Sequence, residues 1–135
     1  VVSMETEVSI DNADLGRLAY VTNSKVRGKL KVIPKETGQA VYVWGDGPTP
    51  LNGFPAFVTN QVRSDLTKGT GTDLSAIFFG NWADLVIGMW GVLDILVDPY
   101  TGGTTGTVRV IVMQDVDIAL RHPESFAVIL DAITT

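Results

Sequence analysis

The chain has no cysteine and a single histidine among its 135 residues. Without thiols it can form neither a disulfide framework nor a thiolate metal site. The histidine, His122, has no second histidine or cysteine with which to hold a metal, and no Gly-x-Ser-x-Gly motif supplies a nucleophile for it. Because Pro123 follows and favours extended geometry, His122 is predicted to be a turn residue at a strand end, not a catalytic base.

Positive charge is scarce and unevenly placed. The chain has 10 Lys and Arg residues and 15 Asp and Glu residues, so its formal net charge is −5 at pH 7. This acidic balance opposes broad contact with nucleic acid phosphates, which needs clustered basic residues. One basic cluster does occur, between residues 25 and 35. It is interpreted as a phosphate or partner surface or, more simply, as the solvated face of a helix; its members off the apolar stripe are Lys25, Arg27, Lys29 and Lys31.

Membrane-length apolar runs, a signal peptide and a phosphate loop are all missing from the sequence. The glycine-rich segments 69–72 and 102–106 lack the Gly-Lys-Ser/Thr that would follow in a phosphate loop, so they are interpreted as loop tips. With 45% apolar and 19% charged residues, the chain is expected to fold as one domain with a filled core. The Val-Val start, with the first methionine at Met4, predicts a fragment of a longer chain.

A long alternating segment dominates the second half of the chain. From 108 to 120 every even position but one is apolar, which predicts a half-buried strand. Continued by one residue it would reach roughly 45 Å, whereas a compact domain of this length is about 37 Å across. We therefore expect a bulge near Asp115 and Asp117 and a chain that belongs to something longer. A second strand is expected at 125–130.

The remaining segments predict two early helices followed by a majority of strands. The first helix is expected at 13–18, with Asp11 and Asn12 as its candidate N-caps. The second is expected to begin at a cap formed by Asn23 or Ser24 and to end at 33, before a proline. Segment 1–10 is expected to be an edge strand or a frayed tail, and segments 64–75 and 98–106 are expected to be mobile loops. Because helices and strands do not alternate, the pattern favours an α+β fold, a mixed β-sheet with flanking helices. Further strands are expected at 19–22, 40–44, 56–59, 76–80, 85–90 and 92–97, with one turn at 82–84.

Two aspartates are the best candidates for chemistry. Asp115 and Asp117 share one face of the long strand, so their carboxylates could stand about 7 Å apart, a spacing that suits a glycosidase pair. The same residues suit a solvated strand face or a salt bridge with Arg109 or Arg121. The structural interpretation is favoured. The sequence therefore predicts no enzyme and assigns no catalytic, cofactor-binding or metal-binding residue.

The tryptophans leave a third hypothesis open. Trp44, Trp82 and Trp90 are spaced without a stacking pattern, which is typical of core or interface packing. A ligand-binding module would use Trp82, Trp90 and the Thr-rich loops. A carbohydrate-active enzyme would use Asp115 and Asp117, and a pocketless surface around that pair would count against it.

Four segments follow the order of a known family. Ala19 to Asn23 is a strand ending in Asn, and the helix after it closes with Gly-Lys-Leu-Lys at 28–31. Leu51 to Val58 is a Leu-x-Gly-x-Pro turn into a strand, and Ala76 to Trp82 is an apolar strand with Gly-Asn and an aromatic. Asp117 to Ala127 is a final strand with Arg-x-Pro before a short terminal strand. In this order, spanning about 11 to 132, the segments resemble the C-terminal part of tailed-phage major capsid proteins.

The resemblance implies a non-enzymatic shell subunit of a phage or prophage. It implies that 1–106 is mostly the axial domain at the capsomer centre and that 107–135 is a long strand and a terminal strand returning toward a peripheral domain. An N-terminal arm, an extended loop and a spine helix are expected upstream, and the partner of the overlong strand is expected to be missing. The loops 64–75 or 98–106 would lie near the capsomer axis.

The resemblance also implies the partners and the location of the protein. It implies homo-oligomeric rings of five or six subunits, with scaffold and portal proteins as further partners. The shell would enclose DNA without sequence-specific binding, and no membrane and no cofactor would be involved. The protein would lie in the virion capsid, and in the host bacterial cytoplasm before assembly.

Overall fold

The computed structural model describes residues 1–134 and consists of two compact units. The first unit combines residues 1–84 with the chain from His122 onward, and the second is Leu85–Arg121. In chain order the elements are α1 (Val2–Ile10), β1 (Leu18–Thr22), α2 (Ser24–Leu30), β2 (Ala56–Val58), β3 (Leu66–Lys68), β4 (Gly71–Asn81), β5 (Leu85–Asp98), β6 (Arg109–Leu120) and β7 (Phe126–Ile133). Short 3-10 turns occupy Trp82–Asp84 and Pro123–Ser125.

The first unit is a mixed sheet built around β4. Strand β1 pairs in parallel with β2 and antiparallel with β4. Strand β7 also pairs antiparallel with β4. Residues 77–80 pair with both β1 and β7, so these two strands lie on opposite edges of β4. The fold is therefore α+β, a mixed β-sheet with two helices, as the order of segments predicts.

One face of this sheet carries the hydrophobic core. Tyr20 and Phe79 pair across β1 and β4, and both are fully buried. Their ring centroids are 4.4 Å apart, and Phe54 packs edge-on to both, at 6.4 and 5.2 Å. The helices bury apolar side chains in the same cluster. The buried helical residues are Met4 and Val8 of α1, one turn apart, and Val26 of α2.

A buried polar contact fastens α1 to the sheet. The Tyr20 hydroxyl donates a hydrogen bond to Glu5, and the Asn52 amide donates to the same Glu5 Oε1 at 2.8 Å. Burial of the ring raises the pKa of Tyr20 above its ordinary value, and the hydrogen bond to Glu5 raises it further. The phenol therefore stays neutral and keeps donating. One carboxylate joins the helix, strand β1 and the loop before β2.

The first eighteen residues differ from their prediction. Segment 1–10 is the helix α1, not an edge strand or a frayed tail, because Met4 and Val8 lie four apart and both enter the core. The helix expected at 13–18 does not form. Asn12 has a left-handed φ of 54° and follows the end of α1, so this Asp-Asn pair closes a helix and does not open one.

Helix α2 begins as predicted and ends early. The Asn23 side chain accepts a hydrogen bond from the Lys25 N–H at 2.9 Å, which is an N-cap. The helix ends at Leu30, three residues before the predicted end. The Leu30 carbonyl accepts from Trp44 N–H at 3.1 Å instead. The expected strand at 40–44 is thus a segment folded back on the end of α2, with one isolated bridge between Pro34 and Tyr42.

The predicted mobile loop at 64–75 is mostly sheet. It forms β3 and the beginning of β4, joined by a turn in which Gly69 has a positive φ of 61°. Leu66 pairs with Leu74 across the hairpin. Ser75 is fully buried, and its hydroxyl donates to the Arg63 carbonyl at 2.6 Å. The polar composition suggested a loop, but its threonines suit an edge hairpin equally well.

The second unit is an antiparallel ribbon of β5 and β6. The strand predicted at 108–120 is β6, and its partner is present: β5 pairs with it from Leu85↔Leu120 to Asp98↔Arg109. The prediction of a missing partner is therefore wrong. The expected strands 85–90 and 92–97 are one strand, β5. The tip at 99–106 is the turn region that its glycines predict.

The longest helix among the described residues is α1, with nine residues. Within residues 1–134, accordingly, none of the helices has the length and apolar character needed to cross a bilayer.

Replacing Glu5 should unfasten α1. Glu5→Ala leaves the Tyr20 hydroxyl and the Asn52 amide without their acceptor, so the free energy of unfolding should fall by about 1–3 kcal/mol. Glu7→Ala is the matched control, because Glu7 is exposed on the same helix and should change stability by less than about 0.5 kcal/mol. Urea unfolding followed by circular dichroism measures both. Equal losses for the two variants would contradict this role of Glu5.

Two glycine-to-alanine substitutions should change the free energy of unfolding in opposite directions. A Cβ on Gly80 would collide with the Ser125 carbonyl oxygen and lie 2.6 Å from the Phe126 ring, where β4 pairs with β7. Gly80→Ala should therefore cost about 1–3 kcal/mol. Gly28 in α2 has open space around its Cβ position, so Gly28→Ala should gain about 0.5–1 kcal/mol. Thermal unfolding of both variants checks this; a neutral Gly80→Ala would refute the close strand approach.

Candidate assembly interface

The ribbon of the second unit carries a continuous apolar face. Five cross-strand pairs point to this side, and each pair joins two apolar residues. Nine of the ten side chains are 45–70% exposed, and Leu85 is half-buried. We call this set the apolar face of the ribbon. Its pairs are Leu85–Leu120, Ile87–Ile118, Met89–Val116, Ile95–Val112 and Val97–Val110.

The opposite face of the ribbon is mixed and carries the two candidate aspartates. Asp115 pairs with Trp90, and Asp117 pairs with Gly88. Both carboxylates are exposed, and Asp117 Oδ1 accepts a hydrogen bond from the Ile118 N–H at 2.8 Å. The two residues share a face, as the alternation predicts. Asp115 borders a hollow of about 100 Å³, and the walls of that hollow do not include Asp117.

A bulge interrupts the ladder on β5. Trp90 pairs with Asp115 and Asp94 pairs with Met113, so three residues of β5 stand opposite the single Gln114. Gly91 supports the bulge with a positive φ of 70°, and the Gln114 amide donates to the Trp90 carbonyl at 3.3 Å. The predicted bulge thus lies beside Asp115, but on the partner strand. Two extra residues preserve the alternation, so the apolar face continues on both sides of the bulge.

The tip of the ribbon is ordered by Asp98. Its carboxylate accepts from the Tyr100 N–H at 2.9 Å and from the Thr101 N–H at 3.2 Å, and the Thr101 hydroxyl donates to it as well. The Thr101 hydroxyl, followed by the two backbone N–H groups, lowers the pKa of Asp98. This arrangement closes the turn after β5 and lets β6 return along it.

The apolar face makes the ribbon a candidate interaction surface. Isolated two-stranded hairpins are marginal in water, and exposed apolar patches of this extent mark interaction sites in soluble proteins. Sequence reasoning missed this surface, because Gly91 divides the alternation of β5 into two short segments. The signal was present in the odd positions: Leu85, Ile87 and Met89 before the bulge, and Ile95 and Val97 after it.

A second apolar surface lies on the first unit. The sheet face opposite the core holds a row across four strands: Phe57, Val21, Phe78 and Val128. Phe57 is 62% exposed and Val128 is 50% exposed. A hollow of about 410 Å³ opens beside Phe78, between the strand face and the segment 61–66. This face is apolar and only partly covered, so the first unit also offers a contact surface.

Two of the tryptophans are structural. Trp44 is buried in the core. The Trp82 indole N–H donates to the Ala19 carbonyl at 2.9 Å, and its ring packs edge-on against Phe126 at 5.5 Å. Trp90 is more than half exposed and covers Gly88 on the mixed face of the ribbon. Trp82 and Trp90 lie in different units, and each is explained by its own neighbours.

His122 borders a hollow of about 250 Å³ in the first unit. Its Nδ1 lies 3.1 Å from Glu124 Oε2, and both side chains are exposed. Asp84 at the same hollow accepts hydrogen bonds from Asn81 and Ser125, at 3.0 and 2.9 Å. Those bonds fix the turn between β4 and the ribbon and the turn before β7. In residues 1–134 no three acidic or histidine side chains lie close enough together to hold a metal ion.

Comparisons with known proteins agree on one family. The model of the phage capsid family matches residues 1–130. The major capsid protein of Halomonas phage phiHAP-1 is 32% identical over 127 residues, which cover 94% of this chain and 19% of that protein. The chain therefore spans about a fifth of this curated relative.

Solved capsid structures share the fold. The capsid of an empty GTA particle, computed with C5 symmetry, matches with a TM-score of 0.61 at 18% identity, over 94% of this chain and 44% of that chain. Mycobacterium phage Che8 matches at 0.64 and 14% identity, over 94% and 45%. Mycobacterium phage Ogopogo matches at 0.64 and 16% identity, over 94% and 47%. Neither the family nor these relatives support the carbohydrate-active enzyme or the ligand-binding module. The chain belongs to the phage capsid family.

Proposed function

We propose that this chain is part of a structural subunit of a phage or prophage capsid shell. The observation that carries the proposal is the apolar face of the ribbon, which has ten apolar side chains in five cross-strand pairs. Such a face is stable in water only when another surface covers it. Membership of the capsid family supplies the context in which that covering takes place. The ribbon acts as an assembly element, and it contributes by burying its apolar side chains against another surface.

The surface that covers the ribbon is the upstream part of the same polypeptide. The chain covers 44–47% of the solved capsid chains that it matches, so more than half of each of those chains lies outside the match. The family resemblance implies a spine helix and an extended loop in that upstream part. A helix with an apolar stripe would fit the apolar face of the ribbon, because helix-on-sheet packing buries one stripe against one face.

The two units correspond to two parts of the shell subunit. The resemblance implies mostly axial structure at 1–106 and a long strand and a terminal strand returning toward the peripheral domain at 107–135. The two compact units of the structure have their boundaries at 84/85 and 121/122. We assign the mixed sheet of the first unit to the axial domain at the capsomer centre. The ribbon belongs to the peripheral domain, and β7 then brings the chain back into the first sheet.

The assembled state follows from this assignment. Subunits associate into homo-oligomeric rings of five or six, which require surfaces that repeat around an axis. Scaffold and portal proteins are the further partners of the shell, which encloses DNA without reading its sequence. The net charge of −5 suits a shell that encloses DNA without extensive contact with its phosphates. The protein resides in the virion capsid, after assembly in the host bacterial cytoplasm.

Electron microscopy of the longer parent polypeptide tests the function. With its natural upstream sequence, the wild type should form shells or free rings in negative stain. Ile118→Lys places a charge on the apolar face and should reduce particles by at least about tenfold, because an unpaired charge is costly to bury. Asp117→Lys is the neighbouring control on the opposite face and should assemble far better.

Two results would count against the proposal. Normal shells from Ile118→Lys would mean that the apolar face of the ribbon is not buried in the particle. A wild type that stays monomeric with scaffold and portal present, and that carries a bound small molecule, would favour a binding module or an enzyme. Replacement of Asp115 and Asp117 by Asn would then be the next measurement.

Hydrogen exchange tests whether upstream sequence covers the ribbon. In residues 1–135 alone, amides of β5 and β6 should exchange faster than those of β4, because an uncovered hairpin opens locally. In the parent polypeptide the ribbon amides should slow by about tenfold or more, while those of β4 change little. Mass spectrometry of peptides from 85–121 and 71–81 reads both. Equal ribbon exchange in the two proteins would exclude the upstream segment as the covering surface.

A further inference from the structure

The first unit carries a concentrated basic surface that the proposed function does not yet use. Residues 25–35 hold five basic residues and no acidic one, on a chain whose net charge is −5. We call this set the basic strip. All of its side chains are exposed or half-buried. Its members are Lys25, Arg27, Lys29, Lys31 and Lys35.

Nothing within the described residues neutralises the basic strip. The ion pairs in residues 1–134 involve Arg63, Lys68 and His122, and no member of the strip lies within 4.0 Å of a carboxylate. Lys25, after Arg63, helps to lower the pKa of Asp65 without forming an ion pair with it. The helix itself gains little from the strip, because Lys25 and Lys29, like Arg27 and Lys31, are like charges four residues apart.

The helix dipole explains only part of this pattern. Basic residues stabilise the last turn of a helix, which accounts for Arg27 and Lys29 in α2. Lys25 lies in the first turn, where a cation is disfavoured, and Lys35 lies beyond the helix. The helix dipole therefore does not account for the positive charges of Lys25 and Lys35. A solvated helix face would tolerate these charges, and a counter-charge on another molecule would in addition stabilise them.

A complementary acidic surface exists on the same unit. Residues 1–16 contain four acidic residues and no Lys or Arg. Glu5 is held by Tyr20 and Asn52, but Glu7, Asp11 and Asp14 are exposed and free of ion pairs in residues 1–134. We call these three the acidic strip. Two of them, Glu7 and Asp11, lie one helical turn apart at the end of α1.

A ring of identical subunits needs two different surfaces that fit each other, since each copy contacts one neighbour with each of them. We propose that the acidic strip of one copy pairs with the basic strip of the next copy around the ring. The inference rests on the proposed function and adds to it a contact that sets the order of subunits. Opposite charges at such a contact increase the rate at which subunits associate, and they disfavour wrong registers. Their contribution to affinity is smaller.

Paired charge reversals in the longer parent polypeptide test the contact. Arg27→Glu with Lys31→Glu reverses the basic strip, and Glu7→Lys with Asp11→Lys reverses the acidic strip. Each double variant should reduce rings and shells at physiological salt by about tenfold, because like charges then meet. The quadruple variant, with both strips reversed, should assemble to within about threefold of wild type, because complementarity is restored.

A control variant separates the contact from general charge effects. Arg109→Glu with Arg121→Glu makes the same charge change at exposed residues of the second unit, outside both strips and off the apolar face of the ribbon. It should assemble nearly as wild type does. Circular dichroism verifies that every variant folds, and neutral substitutions at the same positions, such as Arg27→Gln with Lys31→Gln, replace any reversal that does not. Sedimentation velocity quantifies the rings.

The outcomes are distinct. Rescue by the quadruple variant, in a background where wild type assembles, supports the contact. If wild type assembles and the reversals assemble equally well, or if the quadruple variant is not rescued, the contact is refuted while the shell function stands. If the basic reversal forms normal particles that retain less DNA, the strip binds nucleic acid and the inference is wrong. A wild type that never assembles, even with scaffold and portal present, removes the shell function and the contact with it.

Discussion

Strand β4 is the constraint on which the first unit depends. It is paired on both edges, so β1, β3 and β7 are all held by its backbone. The close approach of β7 requires Gly80, because any Cβ there would occupy the space of the Ser125 carbonyl. Residues separated by more than a hundred positions in the chain, in β1 and β7, are thereby joined to one strand. Helices α1 and α2 then cover the core face of a sheet that is already fixed.

The two units differ in how much of their apolar surface they cover. The first unit buries one sheet face under its own helices, with Tyr20 and Phe79 fully enclosed. The second unit pairs β5 with β6 and leaves most of its apolar side chains exposed. Each strand of the ribbon is paired along one edge only, so its outer N–H and C=O groups are uncovered as well as its apolar side chains. This division suits a shell subunit, in which part of each chain is stable alone and part becomes stable only through association.

Local patterns in the sequence were sufficient for some elements. The alternation of 108–120 predicted β6, the apolar segment 76–80 predicted the centre of β4, and Asn23 predicted the start of α2. In each case neighbouring residues carry the signal. The order of four such segments was enough to indicate the capsid family, which the comparisons confirm.

Elements that depend on distant partners could not be predicted in the same way. Met4 and Val8 fit both a strand and a helix alternation, and only the core of the sheet decides between them. The hairpin β3–β4 looks like a loop because its residues are polar, and its pairing is visible only in three dimensions. The apolar face of the ribbon was divided by Gly91, since a bulge breaks a sequence pattern without breaking the surface.

The bulge has a consequence for how the length of this chain can change. Alternation has a period of two, so a single inserted residue would turn every later side chain of β5 to the other side. The bulge contains two extra residues, and the faces on either side of it stay in phase. A length change of two residues at this position would keep the apolar face of the ribbon in phase, whereas a change of one would need a further adjustment of the bulge. Gly91, with its positive φ, lies at the position where β5 accommodates the extra residues.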